Sequence, residues 1–286
     1  MNLLITGGAG RLGREVVSLA IEKEYKPVAF DLPHVRWEAF ADTPDVTVLK
    51  GDVTDAGDVV EAVRGADAVV HLAAILPPRS EVDRGLTMRV NLGGTRNLLE
   101  ALEGRPGVPL VFASTVSAYG VTAKEEPPVG EDRPLRAHDL YSESKIEAER
   151  LIAGSGVPHV VLRVAPISVP EIVELPETVP YRTDQREEFV HVEDAARAIV
   201  NAVGAPGALG RTLNVAGGAS WQMTGTGYVE GFYGALGIDV EPRFSEVYTG
   251  VDWYDTSAGR FLGYQRLSFN GLLGQLEALA VELELG

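Results

Sequence analysis

Apolar residues gather in short runs that recur along the first half of the chain: "NLLIT", "PVAF", "VTVLK", "DAVVHLA", "PLVFAS" and "HVVLRV". Gly, Pro or Asp bounds each run, as expected of strands buried on both faces of a parallel sheet. Between them the spacing turns helical, in "RLGREVVSLAIEKE", "DAGDVVEAVRG", "GLTMRVNLGGTRNLLEALEG" and "YSESKIEAERLIAG". This alternation predicts an α/β fold, a doubly wound parallel sheet of Rossmann-like type with helices on both faces.

After Arg163 the rhythm breaks. "APISVPEIVELPETVPYRTDQREE" carries four prolines and reads as loop, "VEDAARAIVNAVG" as helix and "RTLNVAG" as strand. From Ser220 onward Gly, Trp, Tyr and Phe mix without one dominant period. The expected organisation is a sheet domain over 1–163, rejoined by 189–216. Residues 164–188 and 217–286 then form a small C-terminal substrate-binding lobe across the carboxyl ends of the strands, where α/β proteins hold ligands.

The chain has 286 residues, 45% of them hydrophobic, a net charge of −16 and no cysteine. Disulfides, thiolate metal sites and a Cys nucleophile are thereby excluded. The charge opposes nucleic-acid and anionic-membrane partners. No apolar run approaches the roughly 20 residues that span a bilayer. "MNLLITGGAG" lacks the basic start of a signal peptide, so a cytoplasmic location is expected. The five histidines show no metal-ligand spacing, and no Gly-x-Ser-x-Gly elbow is present.

Directly after the first run comes "TGGAGRLGR", with Gly7, Gly10 and Gly13 spaced Gly-x-x-Gly-x-x-Gly around Arg11 and Leu12. A turn of this kind between strand and helix lets backbone approach a pyrophosphate at a helix N-terminus. Asp31 ends the second strand about 18 residues past Gly13, the spacing of an acid that binds adenosine ribose hydroxyls. Its charge would repel a 2′-phosphate, favouring NAD over NADP, although Arg11 and Arg36 leave NADP open. In "DLYSESKIEAERL", Tyr141 and Lys145 lie one helical turn apart on one face. A bare Tyr-x-x-x-Lys is by default a pair of solvated side chains, so its meaning depends on what surrounds it.

Seven segments in order supply those surroundings: "TGGAGRLG", "GDVTD", "HLAA", "VNLGGTRNLLEA", "FASTVSAYG", "YSESK" and "FVHVEDAA". Together, over residues 2 to about 216, they resemble the extended short-chain dehydrogenase/reductase family, the NAD-dependent epimerase/dehydratase group. The resemblance implies that Asp52 and Val53 lie beside the adenine and that Leu72, Ala73 and Ala74 pass the middle of the cofactor. It also implies that Asn91 supports the site and that Thr115, Tyr141 and Lys145 are catalytic. Tyr141 would be the acid/base. Lys145 would hold the phenol's pKa down and bind the nicotinamide ribose, and Thr115 would anchor the reacting oxygen. His71 and His191 match positions that look structural. A homodimer through the helices containing Asn91 and Tyr141 is expected by analogy.

The chain also departs from the family pattern. Val116 and Ser117 stand where dehydratases carry Asp-Glu. Pro166, at the cofactor and substrate edge, stands where nucleotide-sugar members often carry Asn. Glu187 stands where they tend to have Arg. Arg79, Arg182 and Arg186 are candidates for an anionic group, with solvated surface roles as the default. Trp221 and Trp253 are candidates to roof the pocket, with lobe packing as the default. The expectation is an NAD-dependent oxidoreductase acting on an alcohol or carbonyl of a sugar-like or small polar substrate. A nucleotide-sugar epimerase and a cofactor-binding sensor without turnover are the alternatives.

Overall fold

The computed structural model describes residues 1–172 and 175–283; residues 173–174 and 284–286, which the expected lobe includes, lie outside the described residues. The apolar runs become β1 (Asn2–Thr6), β2 (Lys26–Asp31), β3 (Thr47–Lys50), β4 (Ala68–His71), β5 (Leu110–Thr115) and β6 (His159–Val164). With β10 (Thr212–Val215) they form a seven-stranded sheet in the order β3-β2-β1-β4-β5-β6-β10. All its pairings are parallel. The order reverses between β1 and β4, so a crevice opens there at the carboxyl ends of the strands.

Helices cover both faces. On one, α1 (Arg11–Glu22) and α6 (Val192–Ala202) pack Val16, Val17, Ala20 and Ile199 against Leu3 and Ile5. On the other, α2 (Ala56–Val63), α4 (Gly94–Glu103) and α5 (Leu140–Gly154) pack Val59, Leu98 and Ile152 against Leu4. Successive residues of β1 thus feed opposite cores, which is why the strand is continuously apolar rather than alternating.

The sequence spacing predicts one helix over "GLTMRVNLGGTRNLLEALEG". The structure has α3 (Arg84–Met88), a π turn at Arg89–Gly93, and then α4. The widened turn contains Asn91, whose side chain leaves the helix to bind the loop after β4, a common use of π-bulges.

Outside this sheet, β8 (Arg186–Glu187) pairs antiparallel with β11 (Met223–Thr224), and β7 (Ile167–Ser168) pairs parallel with β9 (Val190–His191). The tail without a clear period contains α7 (Gly225–Ala235) and α8 (Phe269–Glu282). These two helices bury Phe232, Phe269, Leu272 and Leu276 around Trp221.

Candidate active site

The start of α5 is held from two directions. Asp139 accepts the Ser142 N–H at 2.7 Å while the Ser142 hydroxyl bonds back to the Asp139 N–H, a capping box. Glu81, from the segment after β4, accepts the N–H groups of Leu140 at 2.9 Å and Tyr141 at 3.1 Å. The first turn would otherwise leave those donors unpaired. Tyr141 is half-buried, and Lys145, one turn on, is 3% exposed. The Lys145 Nζ lies 4.3 Å from the ring centre of Phe112 on β5. Thr115, the last residue of that strand, is buried, and its Oγ1 accepts the Ser117 N–H. All three expected catalytic residues therefore sit on β5 and α5, two elements packed against each other.

Their electrostatics differ from the expectation. Burial pushes Lys145 down to about 7, partly opposed by Glu149 one turn further along α5. Burial, reinforced by Asp139, holds the Tyr141 phenol well above its ordinary value. Burial and the Asp139 charge both oppose the phenolate, so the chain by itself keeps the phenol protonated. The Lys145 charge acts on His71 instead, adding to the burial that brings His71 down to about 3.

Neutral His71 joins a buried polar chain. Its Nδ1 lies 2.7 Å from Thr6 Oγ1 and its Nε2 3.0 Å from Thr95 Oγ1. Thr95 donates to the Asn91 carbonyl, so Nε2 carries the hydrogen and Nδ1 accepts from Thr6. The Thr6 oxygen in turn accepts the Ala73 N–H at 3.3 Å. Asn91 accepts the Ile75 N–H at 2.7 Å, and its amide donates to Ser144 on α5 at 2.9 Å. Ser144 donates to the Tyr141 carbonyl. Each buried group is satisfied, and the chain ties the loop after β4 to the turn that bears Tyr141. His71 is structural, as expected. So is His191, which caps α6 and meets Gln275 at 2.8 Å.

The cofactor side follows from the glycine turn. Gly7 has φ +70°, and a Cβ there would meet the Ala73 nitrogen at 2.8 Å; a Cβ on Gly13 would meet the Gly7 carbonyl at 2.2 Å. Only glycine permits this closeness. The first turn of α1 follows Gly10 with no side-chain cap and no acid. It leaves donors for an anion. Asp31 accepts Ala9 N–H at 3.1 Å and Leu32 N–H at 2.8 Å, which aims its carboxylate at the turn with lone pairs to spare. Asp52 is fixed by Thr54 and Asp58, and the Val53 carbonyl by Asn97. Leu72, Ala73 and Ala74 are half-buried beside Gly7. Half-buried Leu12 packs on the α1 core. Arg11 is exposed and ion-paired with Glu171 at 3.0 Å. Pro166 lies two residues past the end of β6, and its carbonyl accepts the Val190 N–H. These features fit a dinucleotide.

On the lobe side the candidate arginines are occupied or solvated. Arg186 binds Asp252 at 2.6 and 3.0 Å, Arg182 binds Asp184, and Arg79 is exposed. Trp221 is core, donating to the Leu267 carbonyl. Trp253 is half-buried and donates to the Met223 carbonyl. Glu187 is fully buried. Glu81, Ser144 and Glu149 were not singled out from sequence. The signal for the last two was there, since Ser144 follows Tyr141 by one turn, as Glu149 follows Lys145.

A parallel sheet with this switch point, glycine turn and strand-ending acid defines a dinucleotide-binding α/β protein. The profile of the NAD dependent epimerase/dehydratase family matches residues 3–170, and the chain belongs to that family. It is 35% identical over 183 residues to D-erythronate dehydrogenase of Cupriavidus necator, covering 59% of this chain and 56% of that protein. It is 37% identical over 166 residues to a 3 beta-hydroxysteroid dehydrogenase/Delta 5→4-isomerase of Mycobacterium tuberculosis, covering 54% and 43%. The chain thus spans about half the length of these relatives. Its fold is similar to that of UDP-glucose 4-epimerase from Thermotoga maritima, with TM-score 0.85 and 21% identity over all of both chains. Among the described residues no cluster suits a metal ion, and no helix is long and apolar enough to cross a membrane.

Proposed function

We propose that this chain is an NAD-dependent oxidoreductase that interconverts an alcohol and a carbonyl on a sugar-like or small polar substrate. The observation that carries this reading is the arrangement of Tyr141 and Lys145 on the inner face of α5, against the strand that ends in Thr115. That strand lies beside the crevice bearing Gly7, Gly13 and Asp31. The dehydrogenase names of the two relatives support it.

The residues divide the work. NAD, when bound, would supply hydride transfer and a positive charge that favours the phenolate. The glycine turn and the α1 N-terminus would hold its pyrophosphate, and Asp31 its adenosine ribose. Thr115 Oγ1 donates to the reacting substrate oxygen and holds it in place. Tyr141 moves the proton on that oxygen. Its phenol is protonated in the chain alone, ready to donate to a carbonyl in the reducing direction. Lys145 titrates near neutrality. Its ammonium form favours the phenolate needed to accept a proton from an alcohol, while Glu149 and the Phe112 ring hold the amine in place.

Incubation with NAD and a panel of sugars, polyols and hydroxy acids tests the reading. Stoichiometric NADH formation is expected. Product inversion with no NADH released would replace it with an epimerase, and cofactor binding without any turnover would replace it with a sensor. The chain is further expected to act as a homodimer through α4 and α5, which sedimentation would check.

A further inference from the structure

We propose that Glu187 selects the substrate: it receives the hydrogen-bond-donating, non-anionic end, a hydroxyl or an ammonium, and turns away phosphate and carboxylate. The inference rests on the oxidoreductase reading above and specifies its substrate class.

Glu187 has 0% exposure, and among the described residues neither carboxyl oxygen has a hydrogen-bond partner. A carboxyl removed from water and left unpaired costs several kcal/mol, so most buried polar groups in native proteins are satisfied. Folding alone does not call for an acid here. The neighbouring residue shows what a structural acid looks like. Glu188 points to the other side of its segment and accepts from Gly218 N–H, Tyr254 N–H and the Gln222 amide.

The side chain lies between segments packed on the connections that follow β5 and β6. The 250–254 segment runs along the connection that follows β5. Gly250 packs on His138, three residues before Tyr141; Asp252 accepts from Thr122, and Val129 N–H bonds the Trp253 carbonyl. On the other flank, Tyr228 bonds Ser168, four residues after β6, at 2.7 Å. Glu187 sits between these flanks, close enough that its charge is felt by Tyr181, Tyr228 and Tyr254.

The surroundings set the sign of the selection. Tyr181, Tyr228 and Tyr254 are close enough to Glu187 to feel its charge, and Asp252 acts on it as well. The adjacent cation, Arg186, is turned away into its pair with Asp252. A phosphate or carboxylate entering here would find no free cation among the described residues to offset its desolvation. A hydroxyl would find an acceptor in the protonated carboxyl, and an ammonium would displace that proton and meet a carboxylate beside aromatic faces.

The test uses the full chain with NAD and one carbon skeleton presented five ways: neutral polyol or sugar, amino analogue, aldonate, sugar 1-phosphate and UDP-sugar. Turnover and ligand-induced thermal shift are both read. Wild type should favour the neutral and amino members over the three anions by about tenfold or more in kcat/KM, carried mainly by KM. Glu187→Arg should invert that order. Glu187→Gln, which keeps the shape, should abolish the preference for the amino over the neutral member while retaining neutral turnover. Comparison of those two members also tells ammonium from hydroxyl recognition. Preference of wild type for any anion, or an order unchanged in folded Glu187→Gln, overturns the proposal while leaving NADH formation intact. Thermal shifts in the expected order without turnover would remove the oxidoreductase reading and keep the selection. No shift from any member removes both.

Discussion

Glu149 and Glu187 are both buried acids, one in the sheet domain and one in the lobe, and the protein treats them oppositely. Glu149 accepts from the Ser114 hydroxyl and from Arg163 through both its Nε and Nη2, and Arg163 also reaches Tyr119 and the Glu131 carbonyl. Every lone pair has a use, and the pair locks α5 to β6. Glu187 has no hydrogen-bond partner among the described residues. The first arrangement fixes the helix that carries Lys145, a task that is the same for every substrate. The second leaves an interaction open for something that arrives. On this view the sheet domain carries chemistry and the lobe carries choice.

The largest effect expected from breaking that division comes from Tyr141→Phe. Removing the phenol should lower kcat by about 10³-fold, within the range for positioned acid–base groups. The loss should be equal for all substrates, with NAD affinity retained. A loss that varied with the non-reacting end of the substrate would merge the two roles.

Next comes Glu149→Ala. It leaves Arg163 charged and buried without its partner, a situation that costs about 3–5 kcal/mol. Urea unfolding should show a lower midpoint with an unchanged slope, the product of slope and shift amounting to a loss of that size. Because Glu149 raises Lys145 against burial, the limb of the pH–rate profile belonging to Lys145 should move below about 7. An unmoved limb would separate Glu149 from the site.

The sheet domain was legible because its physics is local and repeated. Buried parallel strands are continuous apolar runs, and glycine at 7 and 13 answers a backbone contact that no other residue permits. The positions of Tyr141, Lys145 and Thr115 followed from motifs on those same elements. Their charge states did not, because desolvation depends on what packs around α5. The π turn at Asn91 was hidden for a similar reason, since a side chain leaving the helix alters no periodicity. In the lobe, four glycines in α7 blurred its pattern. α8 could have been read from Ser268 as cap and from the stripe Phe269, Leu272, Leu276 and Ala280. The burial of Glu187 was invisible, because a two-residue strand carries no period at all.

Glu187 also gives a stability signature that Glu149 does not. Burial, with Asp252 adding, raises its carboxyl from 4.5 to about 9. The folded state therefore keeps a proton that the unfolded chain has released above pH 4.5. Stability from this group is full below that value and is lost as pH rises through about 9. By about pH 7.5 the loss reaches at most about 4 kcal/mol, less where the lobe relaxes around the charge. Glu187→Gln removes the titration, so its melting temperature relative to wild type should climb steadily between pH 5 and 8. A flat difference would mean that the carboxyl finds a partner in solution.

The smallest effect tests whether the two regions are independent. Glu81 is exposed, yet it caps the α5 backbone at Leu140 and Tyr141 from the segment after β4. Glu81→Ala should cost about 1 kcal/mol, the usual size of a lost helix cap. Asp139 and Ser142 still hold the helix start, so α5 persists and only the alignment of its first turn loosens. That loosening should lower kcat a few-fold for neutral and amino substrates alike and leave their ratio untouched, because Glu187 is held by β8 and not by α5. Gln at the same position, which keeps one acceptor, should restore part of the rate. If Glu81→Ala changed the ratio instead, selection would reach into the sheet domain, and the division drawn from Glu149 and Glu187 would fail at the turn that carries Tyr141.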